Sequence, residues 1–433
     1  MALPLETPDF DLSTPPPLTV VEPATFRASD SRDLAILGAE PAFREPLHVG
    51  RPNIGNRAKL QERIDAMLDA RWFSNGGPLV REFEERIAKH IGVKHCIATC
   101  NGTTALMLAI RGLDLSGEVI VPSFTFVATA HGLLWQQTKP VFCDIDPETH
   151  NLDPVAVERL ITPWTTGIIG VHLWGRPCDV AALEALAKKH RIKLLFDASH
   201  AFACTHRGEF VGRFGDAEVF SFHATKFLNA FEGGAIVTQN DALAEKLRLM
   251  RNFGFTGVDR VEHLGMNAKM TEICAAMGIT GLESISRFVA VNRRNHCGYR
   301  TLLAGLPGLQ VATYDAAERS NFQYVILEVD PARCALTRDE LIHVLQAEQV
   351  LARRYFHPGC HRMEPYRTLY PASGLALPQT ERLSERILAL PTGTAVCHED
   401  VETVATIIRS ALANAVAVRE VIARRSCLTR PSA

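Results

Sequence analysis

Apolar residues recur at helical spacing where the globular part of the chain begins. Two groups repeat every three or four positions: Leu60, Ile64, Met67 and Leu68, and then Leu79, Phe83 and Ile87. This period places the apolar side chains of each group on one face of a helix. The pattern therefore predicts two amphipathic helices, the first starting near Lys59.

Short apolar, β-branched runs then alternate with helical segments. The runs are residues 96–99, 118–122, 140–144, 166–172, 193–197, 218–222 and 234–238. Strands that alternate with helices form a mainly parallel sheet with helices on its faces. The fold class predicted for residues 46–275 is therefore α/β, with seven strands in one sheet.

The pattern changes after about residue 275. A long helical stretch, 275–303, is followed by strand-like segments at 310–312 and 323–329 and by a helix at 338–348. This order predicts a smaller α+β domain over residues 276–420. Residues 1–45 contain a proline-rich run at 13–18 and little periodicity, so we expect a loosely ordered arm there and a tail at 421–433.

Composition narrows the class of protein. The 433 residues are 47% apolar and 22% charged, and 46 basic residues nearly balance 48 acidic ones. This composition argues against disorder and gives no electrostatic footprint for nucleic acid or an anionic membrane. No apolar run approaches the ~20 residues of a membrane span, and the N-terminus does not resemble a signal peptide. Eleven cysteines without a CxxC pair fit reduced thiols, so we expect a cytoplasmic protein.

The candidate chemistry centres on Lys226. This lysine lies just after a predicted buried strand and is followed by Glu232, Gly233 and Gly234. Desolvation in a cleft would favour the neutral amine, which attacks carbonyl groups. Taken alone, a lysine at this position is more often an ordinary surface residue of a loop.

Asp197 ends the apolar run 193–197 and precedes Lys226 by 29 residues. Ligands of open α/β sheets bind at the carboxyl ends of strands, and a carboxylate there can keep a heteroaromatic nitrogen protonated. The alternative is an aspartate that caps the following helix.

A strand that ends at Thr99 leads through Asn101, Gly102, Thr103 and Thr104 into a helix. Backbone N–H groups and hydroxyls at a helix N-terminus bind phosphate, although ordinary capping by Asn101 or Thr103 explains the same residues.

Phe126 follows another strand end and could stack on a planar cofactor, or it could belong to the core. A phosphate cup, an aromatic ring, a strand-end aspartate and a lysine, in this chain order, together describe a pyridoxal phosphate site.

Over residues 47–415 the sequence resembles the DegT/StrS-type sugar aminotransferases, which are fold-type I pyridoxal phosphate enzymes. The motifs that match are 101–106, 122–126, 197–201, 221–226 and 232–234. The resemblance implies that Lys226 is the Schiff-base lysine, that Asp197 pairs with the pyridinium nitrogen and that Phe126 stacks on the cofactor. It also implies phosphate contacts from the cup and its neighbour, namely Gly102, Thr103, Thr104 and Ser221.

Two further assignments follow from the resemblance. In the family an asparagine from the neighbouring subunit reaches the phosphate, and the matching position is Asn267, with Asn252 as a rival. His200 stands where glutamine is common and can donate to the phenolic oxygen of the cofactor. A homodimer with shared active sites is therefore expected.

The activity implied is transfer of an amino group from an amino acid, expected to be glutamate, to a nucleotide-linked keto sugar such as a dTDP-4-keto- or 3-keto-6-deoxyhexose. A keto-cyclitol acceptor or a non-catalytic pyridoxal phosphate-binding regulator are the alternatives. Family members that remove a hydroxyl carry histidine at the lysine position, so Lys226 argues against that reaction. No metal is expected, and a hydrolase lacks the Gly-x-Ser-x-Gly motif.

Arg353, Arg354 and Tyr355 precede a loop of the small domain. They could lie near the substrate, but we favour a solvated surface slightly.

Overall fold

The computed structural model of the protein describes residues 33–428. In chain order the strands are β1 (Leu47–His48), β2 (His95–Thr99), β3 (Glu118–Pro122), β4 (Lys139–Cys143), β5 (Thr165–Val171), β6 (Lys193–Asp197), β7 (Thr205–His206), β8 (Glu209–Phe210), β9 (Ala217–Ser221), β10 (Gly234–Thr238), β11 (Phe255–Gly257), β12 (Arg260–Val261), β13 (Leu309–Val311), β14 (Val325–Val329), β15 (Val350–Leu351) and β16 (Ile387–Leu390).

The α-helices follow the same numbering. They are α1 (Arg57–Ala70), α2 (Pro78–Ile91), α3 (Gly102–Gly112), α4 (Ala128–Leu134), α5 (Pro154–Leu160), α6 (Val180–His190), α7 (Asp241–Met250), α8 (Glu272–Leu282), α9 (Ile285–Leu302), α10 (Arg338–Ala347), α11 (Tyr366–Leu369), α12 (Pro378–Ser384), α13 (His398–Ala413) and α14 (Ala415–Leu428).

A seven-stranded sheet forms the centre of the large domain, in the order β2-β10-β9-β6-β5-β3-β4. All neighbouring pairs are parallel except the two that involve β10, which runs antiparallel to β2 and β9. The predicted mainly parallel sheet is confirmed, and each of the seven apolar runs is one of its strands. Because helices cover both faces, these strands are apolar along almost their whole length.

Helix ends in the large domain follow local chemistry. Asn101 caps α3 by accepting a hydrogen bond from Thr104 N–H at 2.8 Å. Pro78 opens α2, and Gly92 ends it with φ 77°, a conformation that glycine adopts without strain. These signals place the start of α3 directly at the end of β2, where the predicted phosphate cup lies.

The small domain contains a three-stranded antiparallel sheet, β13-β14-β16, covered by α9, α10 and α13. The long helix predicted for residues 275–303 is instead two helices, α8 and α9, which meet at an angle of 63°. Helix α8 packs against α1 and α2 of the large domain and α9 packs against α13 of the small domain, so the bend lies a few residues beyond the boundary expected near residue 275.

Both chain ends differ from the expectation where the structure describes them. Leu34 and Ile36 are buried in the core of the small domain, and the carboxylate of Glu348 accepts hydrogen bonds from the N–H groups of Ala35 and Ala42. The loosely ordered arm therefore does not include residues 34–42. Helix α14 continues through residue 421, where the tail was expected to start. The proline-rich run at 13–18 and residues 429–433 lie outside the described residues.

Within residues 33–428, no single helix is both long and apolar enough to cross a membrane. Two bent helix pairs, α8 with α9 and α13 with α14, reach that length and composition only in combination.

Candidate active site

A cavity of about 580 Å³ opens at the carboxyl ends of β5, β6 and β9, beneath the small domain. Eight of the nine predicted site residues line it: Gly102, Thr103, Thr104, Phe126, Asp197, His200, Ser221 and Lys226. The strand ends bring these side chains together from segments that are far apart in the sequence, as expected for an open α/β sheet.

Lys226 lies in the loop after β9, held by a backbone hydrogen bond from its N–H to the carbonyl of His223 at 2.8 Å. Burial of the amine lowers the pKa of Lys226 to about 8, and the nearby charge of Asp197 acts in the opposite direction. A substantial fraction of this amine is therefore neutral near pH 8, as a nucleophile or a base requires.

Asp197, the last residue of β6, is 5% exposed and reaches the cavity. Its Oδ2 accepts a hydrogen bond from Thr129 Oγ1 at 2.9 Å, and its Oδ1 accepts one from Ser199 N–H at 3.1 Å. The carboxylate is thus oriented by partners from two different segments, and neither is a cation.

The N-terminus of α3 forms a cup beside Ser221. A Cβ added to Gly102 would lie 2.8 Å from Ser221 Cβ, and one added to Gly234 would lie 2.6 Å from the backbone of Asn101. Glycine at both positions lets β9 and β10 approach the first turn of α3. The cup therefore presents backbone N–H groups and hydroxyls together, a typical anion site.

Two rings complete the floor and wall of the cavity. Phe126 is 56% exposed, which is unusual for a phenylalanine in a folded core and leaves its ring open to the cavity. The Nδ1 atom of His200 accepts a hydrogen bond from Trp174 N–H at 3.3 Å, so the neutral ring carries its hydrogen on Nε2. Burial, and secondly the charge of Lys226, lowers the pKa of His200 well below its usual value.

Residues of the small domain form one wall of the cavity, and most of them were not predicted from the sequence. Tyr324, Arg353, Tyr355 and Phe356 line the cavity, whereas Arg354 lies near Asp339. Arg353 and Tyr355 therefore border the cavity, and Arg353 is also exposed to solvent, as the slight preference for a solvated surface expected. In the sequence, this segment comes just before the Phe356–Cys360 loop. That position alone could not distinguish a place near the substrate from a solvated surface.

His223 and Glu232 also line the cavity, with His223 Nε2 3.5 Å from Glu232 Oε1. Both are in motifs recognised from the sequence, although neither was singled out as a site residue. Thr129 was missed altogether, because nothing in its local sequence indicates a contact with Asp197.

Asn267 does not line this cavity. It is exposed, and its backbone forms a bridge with Asn252, whose Oδ1 accepts a hydrogen bond from Lys269 Nζ at 2.9 Å. Within one chain, therefore, neither asparagine reaches the cup.

The other chemistries considered from the sequence find no support in the geometry. His223 Nδ1 pairs with Thr225 Oγ1 at 2.9 Å rather than with a serine of the cavity. His361 lies between Ser123 and Glu381, and Cys360 Sγ donates to the carbonyl of Thr125. Among the described residues, no group of three or more metal-ligating side chains is close enough to hold an ion.

The cavity fits pyridoxal phosphate on four independent grounds. It has an anion cup formed by α3 and Ser221, an exposed ring for stacking, a buried carboxylate at the floor and an amine with a lowered pKa. Each of these groups matches one chemical feature of the cofactor: its phosphate, its planar ring, its ring nitrogen and its aldehyde.

Comparisons with known proteins also indicate an aminotransferase. The profile of the DegT/DnrJ/EryC1/StrS aminotransferase family matches residues 55–409. A dTDP-4-amino-4,6-dideoxy-D-glucose transaminase of Shigella dysenteriae is 34% identical over 369 residues, covering 85% of this chain and 99% of the relative. A GDP-perosamine synthase of Caulobacter vibrioides is 37% identical over 342 residues, covering 78% of this chain and 91% of the relative.

Among solved structures, DesI in the presence of its TDP-sugar product superimposes with a TM-score of 0.85 and 51% identity, over 91% of this chain and 99% of DesI. Family profile, relatives and solved structure thus agree on the class of enzyme. The chain is a pyridoxal phosphate-dependent transaminase that belongs to the DegT/DnrJ/EryC1/StrS aminotransferase family.

Proposed function

We propose that this enzyme moves an amino group from L-glutamate to C4 of a dTDP-linked 4-keto-6-deoxyhexose. The observation that carries the proposal is the single cavity that joins Lys226, Asp197 and the anion cup under a wall from the small domain. The choice of C4 and of a dTDP carrier is supported by the name of the Shigella relative and by the 51% identity with a TDP-sugar enzyme.

Pyridoxal phosphate, when bound, supplies the electron sink that makes the substrate carbon acidic. Asp197 would hold the proton on its ring nitrogen, and the Nε2–H of His200 would donate to its phenolic oxygen. Gly102, Thr103, Thr104 and Ser221 would bind the phosphate, and Phe126 would cover one face of the ring.

Lys226 has two tasks in this reaction. Its neutral amine would hold the cofactor covalently in the resting enzyme and then, once displaced by the donor, move the proton at the substrate carbon. A pKa of about 8 suits both tasks, because the same nitrogen must accept a proton and then release it near neutral pH.

Glutamate fits as donor because Arg353 lies in the wall of the same cavity. The Nη1 atom of Arg353 lies 3.4 Å from the hydroxyl of Tyr355, and an arginine fork binds a carboxylate through two parallel hydrogen bonds. The donor leaves as 2-oxoglutarate before the keto sugar enters, so the kinetics are ping-pong.

We also propose that the active enzyme is a homodimer in which Asn267 enters the partner's phosphate cup. The exposed position of Asn267, outside the cavity of its own chain, supports this arrangement. Mixing Lys226→Ala with Asn267→Ala chains tests it, since heterodimers would recover one intact site whereas either variant alone would not.

The ten cysteines whose side chains the structure describes are free, which suits the reducing cytoplasm in which we place the enzyme.

The test of the proposed function uses ¹⁵N-labelled L-glutamate, the enzyme loaded with pyridoxal phosphate and dTDP-4-keto-6-deoxyglucose. We expect a ¹⁵N-labelled dTDP-amino sugar and one equivalent of 2-oxoglutarate, neither of which Lys226→Ala forms. Amination of a keto-cyclitol instead of the keto sugar would overturn the substrate class. An enzyme that binds the cofactor but reacts with no amino donor would be a regulator and not a transaminase.

A further inference from the structure

We propose that Thr129 is a positioning residue that, through a hydroxyl chain from Thr125, fixes Asp197 as an ionised acceptor for the ring nitrogen of the cofactor. The inference rests on the proposed function of Asp197 and extends it to Thr125 and Thr129, neither of which was predicted as a site residue.

The contact is direct and buried. Thr129 is fully buried, and its Oγ1 lies 2.9 Å from Asp197 Oδ2. Behind it, Thr125 Oγ1 lies 3.1 Å from Thr129 Oγ1, and Thr125 is itself only 2% exposed. Since Thr125 lines the cavity, the chain of hydroxyls begins and ends at the site.

The direction of the hydrogen bonds follows from the hydrogens available. An ionised carboxylate can only accept, so Thr129 must donate its single hydroxyl hydrogen to Asp197. Thr129 then has only lone pairs left for Thr125, which must donate to it. The hydrogen bonds of the chain Thr125 to Thr129 to Asp197 therefore run in one direction while Asp197 is charged, and only protonation of Asp197 would allow them to reverse.

The geometry also fixes the orientation of the carboxylate. Ser199 N–H holds Oδ1 and Thr129 holds Oδ2, so the carboxyl plane is set from both sides. Loss of either bond would let the plane rotate about the Cβ–Cγ bond. Because Thr129 belongs to α4 and Asp197 to β6, this bond also fixes the distance between the segment that carries Phe126 and the strand that carries Asp197.

A purely local role for Thr129 does not account for its position. Its backbone N–H donates to the carbonyl of Phe126 at 3.1 Å, so the first turn of α4 closes without the side chain. The buried hydroxyl is used for Asp197 instead, and hydrogen bonds to a charged partner are among the strongest available to an uncharged side chain.

The experiment compares two cofactors in wild type, Thr129→Val and Thr129→Ser. One is pyridoxal phosphate and the other is its carbocyclic analogue, in which CH replaces the ring nitrogen. Valine keeps the shape of threonine without the hydroxyl, and serine keeps the hydroxyl. The measured quantities are the dissociation constants of both cofactors and the pH titration of the absorbance of bound pyridoxal phosphate.

We expect Thr129→Val to weaken pyridoxal phosphate binding about tenfold and to shift the absorbance titration, while the affinity for the carbocyclic analogue stays at the wild-type value. Thr129→Ser should behave as wild type, and Thr125→Val should show a smaller change of the same kind. Equal losses for both cofactors, or no loss for either, would overturn the inference. Failure of wild type to bind pyridoxal phosphate would instead refute the proposed function.

Discussion

His361 Nδ1 lies 2.6 Å from Ser123 Oγ, and this contact joins the small domain to the end of β3. Both residues are buried, and His361 Nε2 lies 2.6 Å from Glu381 Oε1. The backbone N–H of His361 donates back to Ser123 Oγ at 3.0 Å. The contact lies three residues from Phe126 on one side and a few residues from Phe356 on the other, so it ties together two walls of the cavity.

Ser123→Ala should loosen this contact. It removes the hydroxyl that serves both a buried N–H and a buried ring nitrogen, and unsatisfied buried groups of this kind cost about 1–3 kcal/mol each. We expect unfolding in urea to show a loss of about 2 kcal/mol and the KM for glutamate to rise, because Arg353 and Tyr355 lie on the loop that is released. The exposed Ser116→Ala is the control, and an unchanged KM would show that the wall is held without Ser123.

The site residues that could be predicted from the sequence are those marked by their immediate sequence neighbours. Asp197 and Lys226 were predicted because the ends of apolar runs mark strand ends, where a parallel sheet collects its functional side chains. Thr129 and Arg353 were not predicted as site residues. Their roles depend on contacts with residues that lie tens to hundreds of positions away in the sequence. The bend between α8 and α9 was missed because Gly281 and Ser284 are weak stop signals inside a continuous apolar pattern.

Capture of the cofactor by the apoenzyme should depend on pH through Lys226. Only the neutral amine attacks the aldehyde, so the rate of covalent attachment should rise with pH and reach half its maximum near pH 8. An exposed lysine would show this midpoint near pH ~10.4. The measurement is stopped-flow absorbance across pH, with borohydride trapping and mass spectrometry to locate the modified lysine.

Asp197→Asn provides a second check on that profile. The charge of Asp197 raises the pKa of Lys226 and burial lowers it, so removal of the charge should move the midpoint below pH 8. A midpoint that stays at the same pH or moves to higher pH would show that the charge of Asp197 does not raise the pKa of Lys226.

Gly102→Ala should weaken phosphate binding even though alanine is the better helix former. On propensity alone the change would stabilise α3 by about 1 kcal/mol. The added Cβ, however, would lie 2.8 Å from Ser221 Cβ and 3.0 Å from Ser221 Oγ, so Ser221 must move away from the cup. We expect the dissociation constant of pyridoxal phosphate to rise about tenfold or more. The matched control is Gly257→Ala. Its added Cβ would lie 4.0 Å from its nearest neighbour, Arg260 Cβ, so this variant should leave cofactor binding unchanged.

Asp144→Ala should destabilise the junction of the two domains without touching the cavity. The carboxylate of Asp144, just after β4, accepts hydrogen bonds from the N–H groups of Gln379 and Thr380 at 2.9 and 2.8 Å and from Thr380 Oγ1 at 2.8 Å. It therefore caps the N-terminus of α12, although it belongs to the other domain.

Loss of a cap and of its favourable charge at the helix N-terminus costs about 1–2 kcal/mol. We expect a lower melting temperature for the apoenzyme but an unchanged absorbance of the bound cofactor, because Asp144 does not line the cavity. Asp259→Ala, in the exposed turn between β11 and β12, is the control for loss of an aspartate. Equal melting temperatures for the two variants would mean that the bonds from Asp144 to α12 contribute nothing to holding the domains together.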